Sequence, residues 1–316
     1  MGVWHLAGLG LNPGAVTVPL TYVYLALKLA SEGNEQAQDF FATSGEAGQQ
    51  VGRGIPESLI LFTSKEVIKG RAQNNIRDRW FNTRKKETGI ETIKSYLTSL
   101  LQAMQSQNFS RFYNKTWLRY FLVVEVNHQD FEDCFFKISV TVNALRDKEI
   151  WINMIGGTNQ INAALLSATG FITAAARNYY VFQTDTQLLH PDSERPDFNN
   201  LHLSIPPPSW HELPLFTIDM SRLYEHLTAL FKGREKVNVK EIKNILSDLG
   251  FSEQFFPKLR GSLVKVEGEI ATKGYMLEHW EEMWSNIGSE LSGEANFTTW
   301  KKWATSKGIL TKIEPF

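Results

Sequence analysis

With Cys134 as its only cysteine, the 316-residue chain has no second thiol for an intramolecular disulfide and no set of thiolates for a zinc site. That scarcity fits a reducing compartment, and the cytoplasm is the expected location. Charge of one sign is lacking too: 33 Lys and Arg stand against 34 Asp and Glu, a net charge of −1. A global basic field for nucleic acid is thereby excluded, and any such contact has to rest on local patches. The apolar run from Val16 to Leu27 is too short to span a bilayer, lacks a basic leader and is followed by Lys28. Met1-Gly2 has no Ser or Thr at position six, which removes a myristoylation signal. Repeats, heptads and low-complexity tracts are absent. What is present is an ordinary globular composition, 42% hydrophobic and 21% charged. It supplies enough apolar material for a large α/β domain and a smaller one.

The most informative stretch is Glu149 to Leu166. Mostly apolar residues run into Gly156-Gly157-Thr158, and a helical pattern begins at once. A strand, a glycine turn and a helix N-terminus in that order aim backbone N–H groups and the positive end of the helix dipole at one point, where an anion such as phosphate is the natural occupant. The chain opens with the same grammar. Val3–Ala7 reads as a strand, Gly8 to Gly14 as a turn, and Ala15–Leu27 as a helix with Thr17 as cap and Pro19 in its first turn.

Between them, Ser58–Thr63 is a continuous apolar run typical of a central parallel strand, ending in the hydroxyls of Thr63 and Ser64. Tyr120–Val126 and Ile150–Met154 read as further strands, with helices over Ile90–Met104, Phe135–Leu145 and Gln160–Ala176. Asn178–Gln183 and Leu201–Ile205 complete the expected sheet. From Lys69 to Lys86, seven Arg and Lys flank Trp80 and Phe81, readable as a nucleic-acid arm or as a solvated face.

Pro206-Pro207-Pro208 reads as a stiff connector, and places the expected domain boundary after residue 208. Residues 209–316 are expected to be mainly helical: Ile218–Phe231, Val239–Leu249 with Gly250 as its terminator, a helix from Ser252 to about Leu263, Met276–Ile287 and Thr298–Thr305. A hairpin at Lys265–Ile270 allows a winged-helix reading; a dimerisation or lid module is the other. Trp280, Trp284, Trp300 and Trp303 are expected in this smaller domain's core or at a dimer contact.

Gly8-Leu-Gly-Leu-Asn-Pro-Gly-Ala-Val-Thr17, Leu59-Ile-Leu-Phe-Thr-Ser64 and Ile152-Asn-Met-Ile-Gly-Gly-Thr158, in that order, resemble the CARF family, the CRISPR-associated Rossmann-fold sensor domains. The resemblance covers about residues 1–210. It implies an α/β Rossmann-like domain with a mostly parallel sheet, acting as a homodimer that binds cyclic oligoadenylate (tetra- or hexa-adenylate), the messenger of type III CRISPR antiviral defence. A twofold-symmetric cleft suits a ring of repeated nucleotides. Carried over by position, Leu9, Gly10, Leu11, Asn12, Thr63, Ser64, Gly156, Gly157, Thr158 and Asn159 would line the ligand.

Relatives called ring nucleases also cut the messenger without metal or cofactor, by attack of a ribose 2′-OH on the neighbouring phosphorus. For that chemistry Asn12, Asn159 and Lys65 are the candidate catalytic residues. Asn159 stands where several relatives carry Lys, so positive charge has to come from Lys65 or Arg177, and the resemblance carries binding further than cleavage. Two other functions compete: a messenger-gated regulator without turnover, and a messenger-activated ribonuclease. For the latter, Arg222 with His226 and Arg195 with His202 are the only approximate Arg–His pairs, and neither has the usual setting. Glu267, Glu269 and Lys273 lack metal-nuclease spacing; His279 with Glu282 is a helical pair able to hold a metal or simply to face solvent.

Overall fold

The computed structural model describes residues 2–10, 12–41, 55–70, 81–82, 87–105, 118–172, 175–181, 210–213, 220–252, 255–261, 263–291 and 294–313. The chain begins β1 (Val3–Gly8), α1 (Gly14–Ser31), α2 (Glu35–Phe41), β2 (Pro56–Thr63) and α3 (Lys65–Lys69). A two-residue hairpin, β3 (Phe81–Asn82) with β4 (Glu87–Thr88), precedes α4 (Gly89–Gln105) and β5 (Tyr120–Glu125). Next come α5 (Phe131–Ala144), β6 (Glu149–Asn153), α6 (Asn159–Ile172), β7 (Ala175–Val181) and β8 (Trp210–Leu213). The remainder is α7 (Met220–Phe231), β9 (Val237–Asn238), α8 (Val239–Asp248), α9 (Phe256–Leu259), β10 (Val264–Glu267), β11 (Ile270–Lys273), α10 (Tyr275–Glu290), α11 (Phe297–Ser306) and β12 (Leu310–Ile313).

Seven strands form the main sheet in the order β12-β5-β2-β1-β6-β7-β8. The five inner strands are parallel, and β12 and β8 close the two edges antiparallel. Taken by chain position, the parallel strands run third, second, first, fourth, fifth, the order of the doubly wound nucleotide-binding sheet. The expected α/β fold with a mostly parallel sheet therefore holds. The strand order reverses between β1 and β6, and ligands of such sheets sit outside the carboxyl ends of the strands at that point.

Period-two burial sorts each inner strand between two cores. Val3, Ala7, Leu59, Leu61, Phe121, Val123 and Trp151 face the core built with α1, α2 and α4. Trp4, Leu6, Ile60, Phe62, Leu122, Val124 and Ile152 face the opposite core, shared by α5, α6, α10 and α11. Helix α1 is long and apolar enough to cross a membrane by composition, but 83% of it is buried inside the fold, where it serves as a core helix.

Its start differs from expectation. The helix begins at Gly14, whose N–H donates to Asn12 Oδ1 (2.8 Å), and Thr17 is buried within the helix instead of capping it. Pro19 thus lies in the second turn, where its missing N–H leaves the carbonyl of Ala15 without a helical donor. Asn153, at the end of β6, supplies one: its Nδ2 donates to Ala15 O (2.8 Å), while its Oδ1 accepts from Ile155 N (2.9 Å). One buried side chain thus repairs the helix and shapes the turn leading to Gly156. Helix α5 also starts four residues before the expected Phe135, because Asp130 accepts from the N–H groups of Glu132 (2.9 Å) and Asp133 (3.2 Å).

The boundary expected after residue 208 does not divide the structure. Strands β8 and β12 belong to the main sheet, and α10 and α11 pack on α5. Trp300 is fully buried and donates through Nε1 to Thr141 Oγ1 (2.9 Å); Trp280 packs edge-on against Phe135, with ring centroids 4.8 Å apart. The late tryptophans complete the Rossmann-like core instead of building a separate one.

Between β8 and α10, α7 to β11 enclose a third core of Leu223, Leu227, Phe231, Ile242, Leu246 and Val264 among others. The element order α7-β9-α8-α9-β10-β11, with a three-stranded sheet ordered β10-β11-β9, is winged-helix topology. Helix α8 opens with a capping box between Asn238 and Glu241. It closes on Gly250 at φ +77°, where Gly250 N donates to Ser247 O and Phe251 N to Leu246 O (2.8 Å). Of the expected helix from Ser252, the described residues show the single turn of α9. Leu201–Ile205 and the prolines 206–208 lie outside the described residues.

Candidate functional site

The carboxyl ends of β1, β2, β5 and β6 converge at the switch point. Gly8 and Gly156 meet there backbone to backbone: a Cβ on Gly156 would lie 2.0 Å from the Gly8 carbonyl oxygen, and one on Gly8 would lie 2.8 Å from that of Gly156. Gly157 adds a φ of +84°. These glycines are required by the mutual packing of the two turns, before any ligand is considered. Gly10 differs, since a Cβ there would meet Gly157 at an ordinary 3.7 Å.

Hydrogen bonds lock the surrounding loops. Leu9 N donates to Phe62 O (2.9 Å), and the buried Thr63 hydroxyl donates to Leu9 O (2.6 Å), fixing the first turn to the end of β2. Val126 N donates to Thr63 O (2.9 Å), so the loop after β5 joins the same layer. Thr158 caps α6: its hydroxyl accepts from Ile161 N (3.4 Å) and its carbonyl from Asn162 N (3.0 Å). Asn159 and Gln160 are exposed at the first turn of this 14-residue helix, which presents the positive end of its dipole there. Ser64 is buried at the start of α3, and Lys65 beside it is exposed.

Of the residues singled out in sequence, Leu9, Gly10, Asn12, Thr63, Ser64, Lys65, Gly156, Gly157, Thr158 and Asn159 all lie at this edge; Leu11 lies outside the described residues. Several have structural tasks: Asn12 accepts from Gly14 N in the turn entering α1, Thr63 holds the first turn and Thr158 caps α6.

Arg177 does not reach the edge. It pairs with Trp151 in the strand register, its guanidinium lies over the rings of Trp151 (4.5 Å) and Phe40 (4.8 Å), and NH1 sits 3.3 Å from Glu212. Burial lowers its pKa, with Glu212 and then Glu149 opposing that shift. It is a structural cation of the α1-side core, and among the described residues Lys65 and the α6 dipole bring positive charge to the edge.

The other candidate groups disperse. His226 Nδ1 lies 2.7 Å from the carbonyl of Arg222, His279 pairs with Glu132 of α5 (3.1 Å) instead of Glu282, and Lys273 pairs with Glu281 (2.7 Å). Glu267 and Glu269 stand in and beside the turn of the wing. Among the described residues no three His, Cys, Asp or Glu side chains gather as metal ligands would. Cys134 is buried, and desolvation, with Asp133 and Asp130 nearby, pushes its thiol up to about 12, which leaves it inert as a nucleophile. Arg195, His202 and most of the basic stretch fall outside the described residues. An open cleft of about 700 Å³ between α7, β11 and α10, lined by Tyr224, Lys273, Glu281 and Trp284, lies within the C-terminal half, on elements other than those of the switch point.

One group at the edge carries no sequence motif. His128, in the loop after β5, accepts through its carbonyl from Thr158 Oγ1 (3.5 Å), and its Nδ1 lies 4.0 Å from Oε2 of Glu66 on α3. The polar run Asn127-His128-Gln129-Asp130 reads only as a turn; what gives the histidine its place is the tertiary meeting of three loops.

Sheet order, paired glycine turns and the switch-point layer define a Rossmann-like α/β protein, with α7 to β11 forming a further small core. No family model matches the chain. An uncharacterized protein of Archaeoglobus fulgidus is 38% identical over 323 residues, covering 99% of this chain and 98% of its own length; the chain belongs to the same family as that protein. Among solved structures, Enterococcus italicus Csm6 bound to cyclic hexa-2′-fluoro-hexa-dAMP aligns with 82% of this chain at 12% identity and a TM-score of 0.38. The chain's match spans about half, 52%, of that protein.

Proposed function

We propose that this protein binds a cyclic oligoadenylate at the carboxyl edge of its sheet, as a cytoplasmic homodimer, and opens the ring without metal as a ring nuclease. The observation that carries this reading is the convergence, at the switch point of a nucleotide-binding strand order, of two glycine turns and the exposed N-terminus of α6. The resemblance of the same three motifs to the CARF family supplies the ligand class. A twofold cleft presents Asn159, Gly10 and Lys65 twice, once to each half of the ring.

The test is incubation of purified protein with cyclic tetra- and hexa-adenylate in EDTA, with binding followed by calorimetry and products by mass. Micromolar or tighter binding, a dimer in solution and a cyclic-phosphate product are expected. No binding of either ring at micromolar protein would overturn the reading as a whole.

A second reading, a messenger-gated regulator, draws on one observation, the winged-helix topology of α7 to β11. Against a DNA face stand Glu267 and Glu269 at the wing and the single-turn α9. Binding of duplex DNA that changes with added messenger would favour it over turnover.

A further inference from the structure

We propose that His128 is the proton acceptor of the switch-point site and that Glu66 is its positioning residue; this rests on the ring-opening reading above. That chemistry needs a base at the attacking 2′-OH, and the motif residues offer only amides, hydroxyls and one exposed lysine. Among the described residues, His128 is the imidazole that the fold brings to this edge.

Its placement is built from three sides. Val126 N bonds to Thr63 O at the end of β2, Thr158 Oγ1 bonds to the His128 carbonyl, and Asn127 N bonds to Asp133 Oδ2 (2.7 Å). The loop is therefore tied to β2, to the cap of α6 and to α5 at once. The side chains of His128 and Glu66 retain 31% and 20% exposure, open enough to meet a ligand and covered enough to be held. With Nδ1 turned toward Glu66, Nε2 is the atom left to face a ribose. A 4.0 Å separation is within the range at which catalytic hydrogen bonds stand in ligand-free sites. A carboxylate on Nδ1 fixes the tautomer with an unprotonated Nε2 and stabilises the imidazolium that follows.

The step balances without metal or redox chemistry. The 2′-OH gives its proton to Nε2, the 2′ oxygen bonds to the adjacent phosphorus, and the P–O5′ bond breaks. The 5′ oxygen takes a proton from water, and the imidazolium later returns its own to solvent. The products are a 2′,3′-cyclic phosphate and a 5′-hydroxyl. Other charged groups around the imidazole are committed elsewhere: Asp130 caps α5, and Asp133 holds Asn127 N and Lys137 (2.8 Å). Among the described residues, Glu66 is the carboxylate whose Oε2 approaches the ring, with Lys65 and Lys69 the cations on the same helix.

The experiment compares wild type, H128Q, E66Q and E66D for affinity toward cyclic tetra- and hexa-adenylate and for single-turnover ring opening from pH 5 to 9. H128Q is expected to bind within about threefold of wild type while opening the ring roughly 10²–10⁴ times more slowly. E66Q is expected to slow opening by about tenfold while binding within about threefold of wild type, and E66D, which keeps the carboxylate, to recover most of that loss. Equal losses in E66Q and E66D, or a fall in affinity that matches the fall in rate, would overturn the positioning role. Ring opening by H128Q at the wild-type rate, or a wild-type protein that binds but never opens the ring, would overturn the inference while leaving the binding proposal standing. Failure of wild type to bind either ring would refute both.

Discussion

Replacing Asn153 by Ala removes two hydrogen bonds at once, and the structure specifies how the loss should respond to a second change. Nδ2 serves the carbonyl of Ala15, a buried acceptor stranded because Pro19, four residues on, has no N–H to offer. Oδ1 serves Ile155 N in a half-buried turn, where water is a partial substitute. A buried unsatisfied acceptor costs about 1–3 kcal/mol and the turn bond about 1 kcal/mol, so Asn153→Ala should lose roughly 2–4 kcal/mol in equilibrium urea unfolding. Pro19→Ala restores a backbone N–H within reach of Ala15 O. In that background the Asn153→Ala loss should shrink by about 1–2 kcal/mol, since only the turn bond remains to be lost. A double-mutant cycle measures this directly. Additivity of the two substitutions within about 0.5 kcal/mol would refute the claim that Asn153 completes a proline-broken helix.

Further predictions concern positions that the site does and does not need. Gly156→Ala should lower the melting temperature by several degrees or abolish folding, whereas Gly10→Ala should leave it unchanged; equal melting temperatures for the two would refute the backbone packing of the turns. His5 is fully buried and desolvation holds its pKa near 3, so the unfolded chain takes up a proton that the folded one refuses. Stability present above pH 6.5 should decline as pH falls toward 3, and His5→Phe should flatten that limb in acid unfolding curves. Trp300→Ala should destabilise the entire sheet by about 3–5 kcal/mol, seen as one transition; selective loss of a C-terminal transition would contradict the shared core. Arg177→Lys should cost stability by losing its stacked plane, yet leave oligoadenylate affinity intact; weakened binding in a folded variant would return Arg177 to the site.

Much of the inner sheet was legible because parallel strands buried on both faces write themselves as unbroken apolar runs, as at Ser58–Thr63 and Tyr120–Val126. The glycine turns were legible as turns; that Gly8 and Gly156 press on each other was not, because the contact joins strands far apart in sequence. Edge strands β8 and β12 escaped notice. Trp-His-Glu-Leu and Leu-Thr-Lys-Ile are four residues each, partly exposed, and become strands only by pairing with β7 and β5. The tryptophans announced a core without saying whose. His128 was invisible for the same reason: no local spacing links it to Glu66 or Thr158.

The antiparallel closure by β12 also bears on how the protein is made. Leu310 pairs with Val124, so β5 keeps a bare edge until the winged unit, α10 and α11 have all been synthesised. A chain interrupted at the proline run would hold β5 and β7 as two unprotected, Val- and Tyr-rich borders, each a template for another copy. Dividing this protein at the proline run should therefore yield an aggregating fragment instead of a smaller working one.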